Sequence, residues 1–224
     1  MIVSNALETS APIGAQLITL LRTRIVTGAL PPGTRLSEKD IAGEYGLSRQ
    51  PVREAFIKLA SDRLVEIRPQ RGTYVCRIDI DDVVVSRFVR EAVEADIARH
   101  AARKADADAI ANLHAIVDAQ QQKLIEGGPA FMPLDEQFHR GLADAAAQSG
   151  AWVHLESIRM HMDRVRHLTA TELPIQPLID QHRAIIHAIA RRDPDAAESA
   201  TRAHLRTVLD DLDSMRQAHP DYFL

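Results

Sequence analysis

From residue 81 to residue 217 the chain keeps the spacing of amphipathic helices and shows no strand alternation. That long uniform period constrains the fold more than any other feature. Its interruptions are marked chemically: "ADAD" at 105–108, "GGP" at 127–129, "SGA" at 149–151, "LPIQP" at 173–177 and "DP" at 193–194. They delimit helices over 81–103, 106–126, 130–148, 151–170, 175–191 and 194–217. Helices of this length with short connections pack as an antiparallel six-helix bundle.

Before residue 80 the punctuation is denser. "IGAQLITLLRTRIVT" (13–27) puts Leu17, Leu20, Leu21 and Ile25 on one helical face, and Gly28 stands where that helix ends. A proline-glycine turn in "ALPPGTRL" follows. Ser37 then caps a short helix "EKDIAGEY", which Gly46 closes. Ser48 opens a third helix in "LSRQPVREAFIKLASDRL", where Pro51 is tolerated in the first turn and Val52, Phe56 and Leu59 face inward. "LVEIRPQRGTYVCRI" (64–78) reads as strand, turn, strand, with Arg68, Gln70, Arg71 and Gly72 at the tip. The fold class is therefore mainly α: a winged helix-turn-helix of three helices plus a two-stranded wing over 9–78, then the helical bundle over 79–218.

The spacing that buries Val52, Phe56 and Leu59 leaves Arg49, Gln50 and Arg53 at the exposed N-terminal end of the third helix. A recognition helix presents that end to the major groove, where Arg forks onto guanine, Gln onto adenine, and the helix terminus attracts phosphate. Charge agrees with this division. The whole chain carries −4, yet residues 11–78 hold 11 Lys/Arg against 6 Asp/Glu, so the rest carries −9. Apolar runs such as "DVVV" are far shorter than the roughly 20 residues a membrane span needs. Because the N-terminus lacks a secretory pattern and the single Cys76 forms no internal disulfide, a cytoplasmic location is expected.

The order helix, "PG" turn, helix, "SRxPVREA" helix, "LV" strand and "RG" wing resembles the winged helix-turn-helix of the GntR family of bacterial transcription regulators over roughly residues 13–76. The resemblance makes Arg49 and Arg53 the main DNA contacts, with Ser48 and Gln50 beside them. Lys39 falls near a phosphate-contacting position, Gly72 matches the wing glycine, and Arg71 stands next to it. One departure is Arg63, where the family commonly has glycine before "LV".

In the bundle, Asp135 and His139 in "PLDEQFHRGL" lie one helical turn apart, and His182 shares the face of Ile185, Ile186 and Ile189. With His204, one turn before Val208, four ligand-type groups stand on three helices. Spacing alone is compatible with a divalent ion or with ordinary buried histidines, the assignment given to His100, His114, His154, His167, His187 and His219. The order "D-x3-H", then His182, then His204 resembles the FCD effector-binding domain of the FadR subfamily of GntR regulators. That resemblance implies a metal held by Asp135, His139, His182 and His204, with Zn, Ni and Mn not separable from sequence. It also implies a small carboxylate effector on the metal and an Arg90–Glu94 pair at the cavity; Arg159, His161 and Arg164 are further effector candidates. Spacing alone equally allows Arg90 and Glu94 to form an i,i+4 ion pair on a solvated face.

The expected function is a metabolite-responsive repressor that binds operator DNA as a homodimer, with no membrane partner. The alternative is a metal-dependent enzyme on a helical bundle. "EQFH" (136–139) reads as the E-x-x-H of di-metal carboxylate proteins, but no second E-x-x-H follows Glu156, Glu172 or Glu198. A structural metal that only staples the bundle is a third possibility.

Overall fold

The computed structural model describes residues 12–126 and 131–224. Residues 9–11 of the expected first domain, the "GGP" break and the start of the third bundle helix at 130 lie outside the described residues. The chain forms two compact units, one made of the chain up to Ile80 together with Arg216–Leu224, the other of Asp81–Met215.

In the first unit, α1 (Ile13–Val26) buries Leu17, Leu20, Leu21 and Ile25, the expected stripe, and Gly28 follows it with φ 77°. Next come β1 (Arg35–Leu36) and α2 (Glu38–Tyr45). Ser37 Oγ accepts from the Asp40 backbone N–H at 3.3 Å, and Gly46 closes α2 in the left-handed conformation. Helix α3 (Arg49–Ser61) turns Val52, Ala55, Phe56 and Leu59 inward and packs on α1 and α2. β2 (Val65–Arg68) and β3 (Gly72–Val75) form the hairpin, with Arg68 opposite Gly72. A strand that sequence reading missed joins it: β1 pairs antiparallel with β3, giving the order β1-β3-β2. Two residues are too few to display a period of two, so "RL" looked like the end of a turn. The C-terminal tail completes this unit, since Ile78 N donates to Tyr222 O at 2.7 Å and Phe223 is buried.

The second unit is a bundle of α4 (Ile80–Lys104), α5 (Ala107–Ile125), α6 (Phe131–Ala145), α7 (Ser149–Glu172), α8 (Gln176–Ala190) and α9 (Pro194–Ala218). Asp106 caps α5 by accepting from Ala109 N at 2.8 Å, and Asp193 accepts from Ala196 N at 3.0 Å beside Pro194. The core joins Leu113 and Val117 of α5, Phe138 and Leu142 of α6, Trp152 of α7 and Ile185, Ile186 and Ile189 of α8. Gly141 makes the α5–α6 approach close: a Cβ there would stand 3.1 Å from Leu113 Cδ2. That contact fixes the rotation of α6, and with it the direction of Asp135 and His139.

Candidate nucleic-acid interface and metal centre

The first unit sorts its cations. Those on the frame are paired: Arg22 with Asp62 at 2.9 Å, Arg24 with Glu44 at 2.8 Å, and Arg68 with Glu66 at 2.8 Å. Arg49 and Arg53 on α3, Lys39 on α2 and Arg71 in the β2–β3 turn are exposed and have no side-chain hydrogen bond or ion pair among the described residues. Unpaired cations on one short helix start and one hairpin tip form a surface suited to phosphate and base edges. Gln50 is held by Glu54 at 2.9 Å. Ser48 is the N-cap residue of α3, but its side chain makes no cap hydrogen bond. Gly72, with φ 113°, lies under the Arg35 side chain; a Cβ there would meet Arg35 Nε at 3.0 Å.

In the bundle, α6, α8 and α9 bring Asp135, His139, His182 and His204 together, with one ligand atom from each within 4.8 Å of all the others. His204 Nε2 stands 3.3 Å from both His182 Nε2 and His139 Nε2. The Asp135 oxygens are 3.6 Å from His182 Nε2 and 3.8 Å from His139 Nε2. Tetrahedral ligands about 2.0–2.1 Å from one ion are about 3.4 Å apart, which is the spacing seen. The opposite nitrogen of every ring is engaged: His182 Nδ1 with Gln120 Oε1 at 2.9 Å, His204 Nδ1 with Gln181 Oε1 at 2.9 Å, and His139 Nδ1 with Glu94 Oε2 at 2.7 Å. The last approach is off the ideal hydrogen-bond axis, but its length marks a charge-assisted contact. Gln120 Nε2 donates to Leu134 O at 3.1 Å, which fixes its amide so that Oε1 faces the ring. Protons assigned to Nδ1 leave three bare Nε2 lone pairs turned towards one another. Neither Asp135 oxygen, though buried, accepts a well-directed hydrogen bond. These orphaned donor atoms fit a divalent cation.

Electrostatics point the same way. Burial, aided by His139 and Arg166 against the pull of Asp135, pushes His182 down to about 3. Burial and the neighbouring histidines likewise hold His204 well below the usual range. The Asp135 carboxyl, which burial alone would raise, is held far below the carboxylate range by Arg166, His139 and His182. For Glu94, Arg90 and His139 overcome burial and keep the carboxyl at about 2. Around the centre the charges alternate: Arg166 Nη2 lies 2.5 Å from Asp135, Arg166 Nη1 3.7 Å from Asp163, Arg90 3.5 Å from Asp163, and Arg90 Nε 2.5 Å from Glu94. Arg166 and His204 also line a cavity of about 20 Å³, with Met132, Met162 and Leu178 among its walls.

The model of the gntR family of bacterial regulatory proteins matches residues 14–75, and the FCD domain model matches residues 87–207. The chain belongs to the GntR family. The HTH-type transcriptional repressor RspR of Escherichia coli (strain K12) is 37% identical to this GntR chain over 228 residues, covering 100% of this chain and 99% of that one. A GntR transcriptional regulator from Rhodococcus sp. RHA1 superposes with a TM-score of 0.73 at 26% identity, over 89% of this chain and 97% of that one. E. coli McbR/YncC shares the fold, with a TM-score of 0.78 at 18% identity over 92% and 99% of the two chains. The family and its relatives are transcription regulators, so this GntR chain is one too, and the metalloenzyme alternative falls. No helix among the described residues is long and apolar enough to cross a membrane.

Within this GntR-family bundle the expected effector residues are not among those that line this cavity. Arg90 is neither solvated nor among the cavity's lining; at 1% exposure it is locked between Glu94 and Asp163 and so supports His139 through Glu94. Arg159 pairs with Glu136 at 2.6 Å and Asp163 at 3.1 Å, over the Trp152 ring. His161 faces Asp82 at 3.9 Å, and Arg164 is buried. Sequence reading missed Arg166, the cation that does reach the cavity, and Gln120 and Gln181, which orient the rings. Arg166 lies one turn beyond Met162 on α7, but "RMHMDRVRH" offers three arginines and two histidines in nine positions and no signal to choose among them.

Proposed function

We propose that this GntR-family chain is a metabolite-responsive repressor. It binds operator DNA as a two-fold dimer through Arg49, Arg53, Ser48, Gln50, Lys39, Arg71 and Gly72, and takes a small carboxylate effector at a metal centre in its FCD domain. The observation that carries the effector half is the convergence of one carboxylate and three Nε2 atoms, each ring backed by its own partner. Asp135, His139, His182 and His204 would hold the cation, which supplies a positive, Lewis-acidic point for a carboxylate. The DNA half is supported by the unpaired cations of α3 and the hairpin turn. One small reader gives limited affinity, and two related by a two-fold axis match a palindromic site. The effector can alter DNA binding only as far as its own affinity differs between the two states.

The test titrates wild type, Arg49→Ala, Arg53→Ala and His182→Ala with a fluorescent DNA fragment from upstream of the coding sequence, while metal content is measured in parallel. Each arginine variant is expected to lose roughly 1–3 kcal/mol of operator binding and relax base preference. His182→Ala should lose metal and keep DNA binding. Unchanged DNA binding in both arginine variants overturns the reader, and full metal occupancy in His182→Ala overturns the centre.

A further inference from the structure

The cavity beside His204 has two chemically different ends. On α9 (Pro194–Ala218), His204, Thr207, Val208 and Asp211 all line it, at spacings of three, four and seven residues that make one helical stripe about 10 Å long. At the His204 end stands Arg166, and at the other end stands Asp211.

Most polar groups along this stripe are already engaged. Arg166 is bound to Asp135, and His204 Nδ1 to Gln181. Thr169 Oγ1 donates to Arg166 O at 3.1 Å, and Thr207 Oγ1 accepts from Gln181 Nε2 at 3.1 Å. The half-buried Asp211 carboxylate has no side-chain hydrogen bond or ion pair among the described residues. Burial and the neighbouring Asp210 push its carboxyl up, as befits an anion without a counter-charge. The rest of the lining includes the apolar side chains of Met132, Met162, Leu178 and Val208. The free space of about 20 Å³ holds about one water-sized group, so a larger occupant enters by moving the pliable thioethers.

We propose that Asp211 sets the polarity of the effector: a small carboxylate whose acid group faces the His204–Arg166 end and whose far end carries a hydrogen-bond donor, hydroxyl or ammonium, for Asp211. This rests on the metal-centred effector site proposed above. A dicarboxylate of the same length meets like charge at Asp211 and is rejected. A donor at that point gives the carboxylate its missing partner, and the thioether and aliphatic walls suit a methylene spacer.

The test uses zinc-loaded wild type and zinc-loaded Asp211→Asn, titrated calorimetrically with butyrate, 4-hydroxybutyrate, 4-aminobutyrate and succinate, and with 6-aminohexanoate against adipate as a longer pair. At one or both lengths the donor-bearing acid is expected to bind wild type about tenfold or more tightly than the dicarboxylate, a difference of about 1.4 kcal/mol. In Asp211→Asn that ratio should fall about tenfold while zinc uptake stays unchanged. Asp211 is unpaired and only half-buried, so the variant folds. Dicarboxylates binding wild type as tightly as the donor-bearing acids, an equal ratio in both proteins, or no binding by any acid overturns the polarity. Wild type that takes up no zinc overturns the underlying site, and this proposal falls with it.

Discussion

Arg166 stands against Asp135 as the cation that the buried carboxylate already has, and a metal held as proposed by Asp135, His139, His182 and His204 would share or replace that contact. Truncating it leaves a carboxylate of 1% exposure without its strongest counter-charge, so metal-free Arg166→Gln is expected to lose about 3–5 kcal/mol. Zinc should then restore more in the variant than it adds to wild type. Thermal melts with and without zinc check this, and an equal zinc-induced shift in both proteins contradicts it. Trp152, the chain's single tryptophan, lies 6.0 Å from the His139 ring and reports loading through its fluorescence. A second residue-scale case is Arg63, whose φ of 57° is left-handed, at the position where the resemblance called for glycine. The backbone keeps the turn and carries its strain. Its ion pair with Asp79 at 3.3 Å is exposed and contributes little. Arg63→Gly is therefore expected to raise stability by about 0.5–1 kcal/mol in urea denaturation. At this scale the sequence was partly legible. The i,i+4 pair Asp135–His139 could be read from spacing. The meeting with His182 and His204 came from resemblance, because spacing within one helix says nothing about the rotation of another. Arg166 and Asp211 stayed hidden for that reason.

Among the elements, α4 and α9 are tied by Glu91, whose carboxylate meets Arg87 on its own helix and Arg202 and Arg206 across the gap; Arg206 Nε lies 3.0 Å from both of its oxygens. The Arg206 hydrogen bonds, with those of Arg87 and Arg202, outweigh burial and hold Glu91 at about 2, against an ordinary value of 4.5. Because the folded value is depressed, the stabilisation is fully present above pH 4.5 and is lost as pH falls towards 2. Urea denaturation across that window should find Glu91→Gln less stable than wild type above pH 4.5, with the gap closing on acidification. A constant gap would show that the tie acts through packing alone. Element boundaries were readable wherever a side chain closes a backbone group, as Ser37, Asp106 and Asp193 do. They failed where no such chemistry exists. Helix α6 stops at Ala145 rather than 148 because Ala147 turns left-handed, with φ 57°, a conformation that nothing about alanine announces. The β1 strand escaped because its two residues are recruited by β3 and have no alternation of their own.

At the scale of the whole molecule, the last stretch of chain belongs with the first. Sequence reading stopped the second domain at 218 and gave the tail no role, since "HPDYFL" is too short to show a period. Arg216–Leu224 nevertheless joins the unit that holds the helix-turn-helix, with Leu224 N donating to Ile78 O at 3.0 Å and Phe223 only 2% exposed. Each unit has its own core, so a melt should resolve separate responses to two perturbations. Phe223→Ala removes a buried ring and is expected to cost the first unit about 3–5 kcal/mol, with operator binding lost at temperatures where wild type still binds. Chelation acts on the other core. A ligand at 100 times its dissociation constant stabilises the fold that binds it by about 2.7 kcal/mol, and removing zinc should lower the helical unit's transition accordingly. Differential scanning calorimetry of wild type and Phe223→Ala, each with zinc and with chelator, separates the two effects. If the tail belongs to the reader and the metal to the bundle, the two shifts fall on different transitions and add. Zinc and Phe223→Ala both shifting one shared transition would mean that the two units unfold as one.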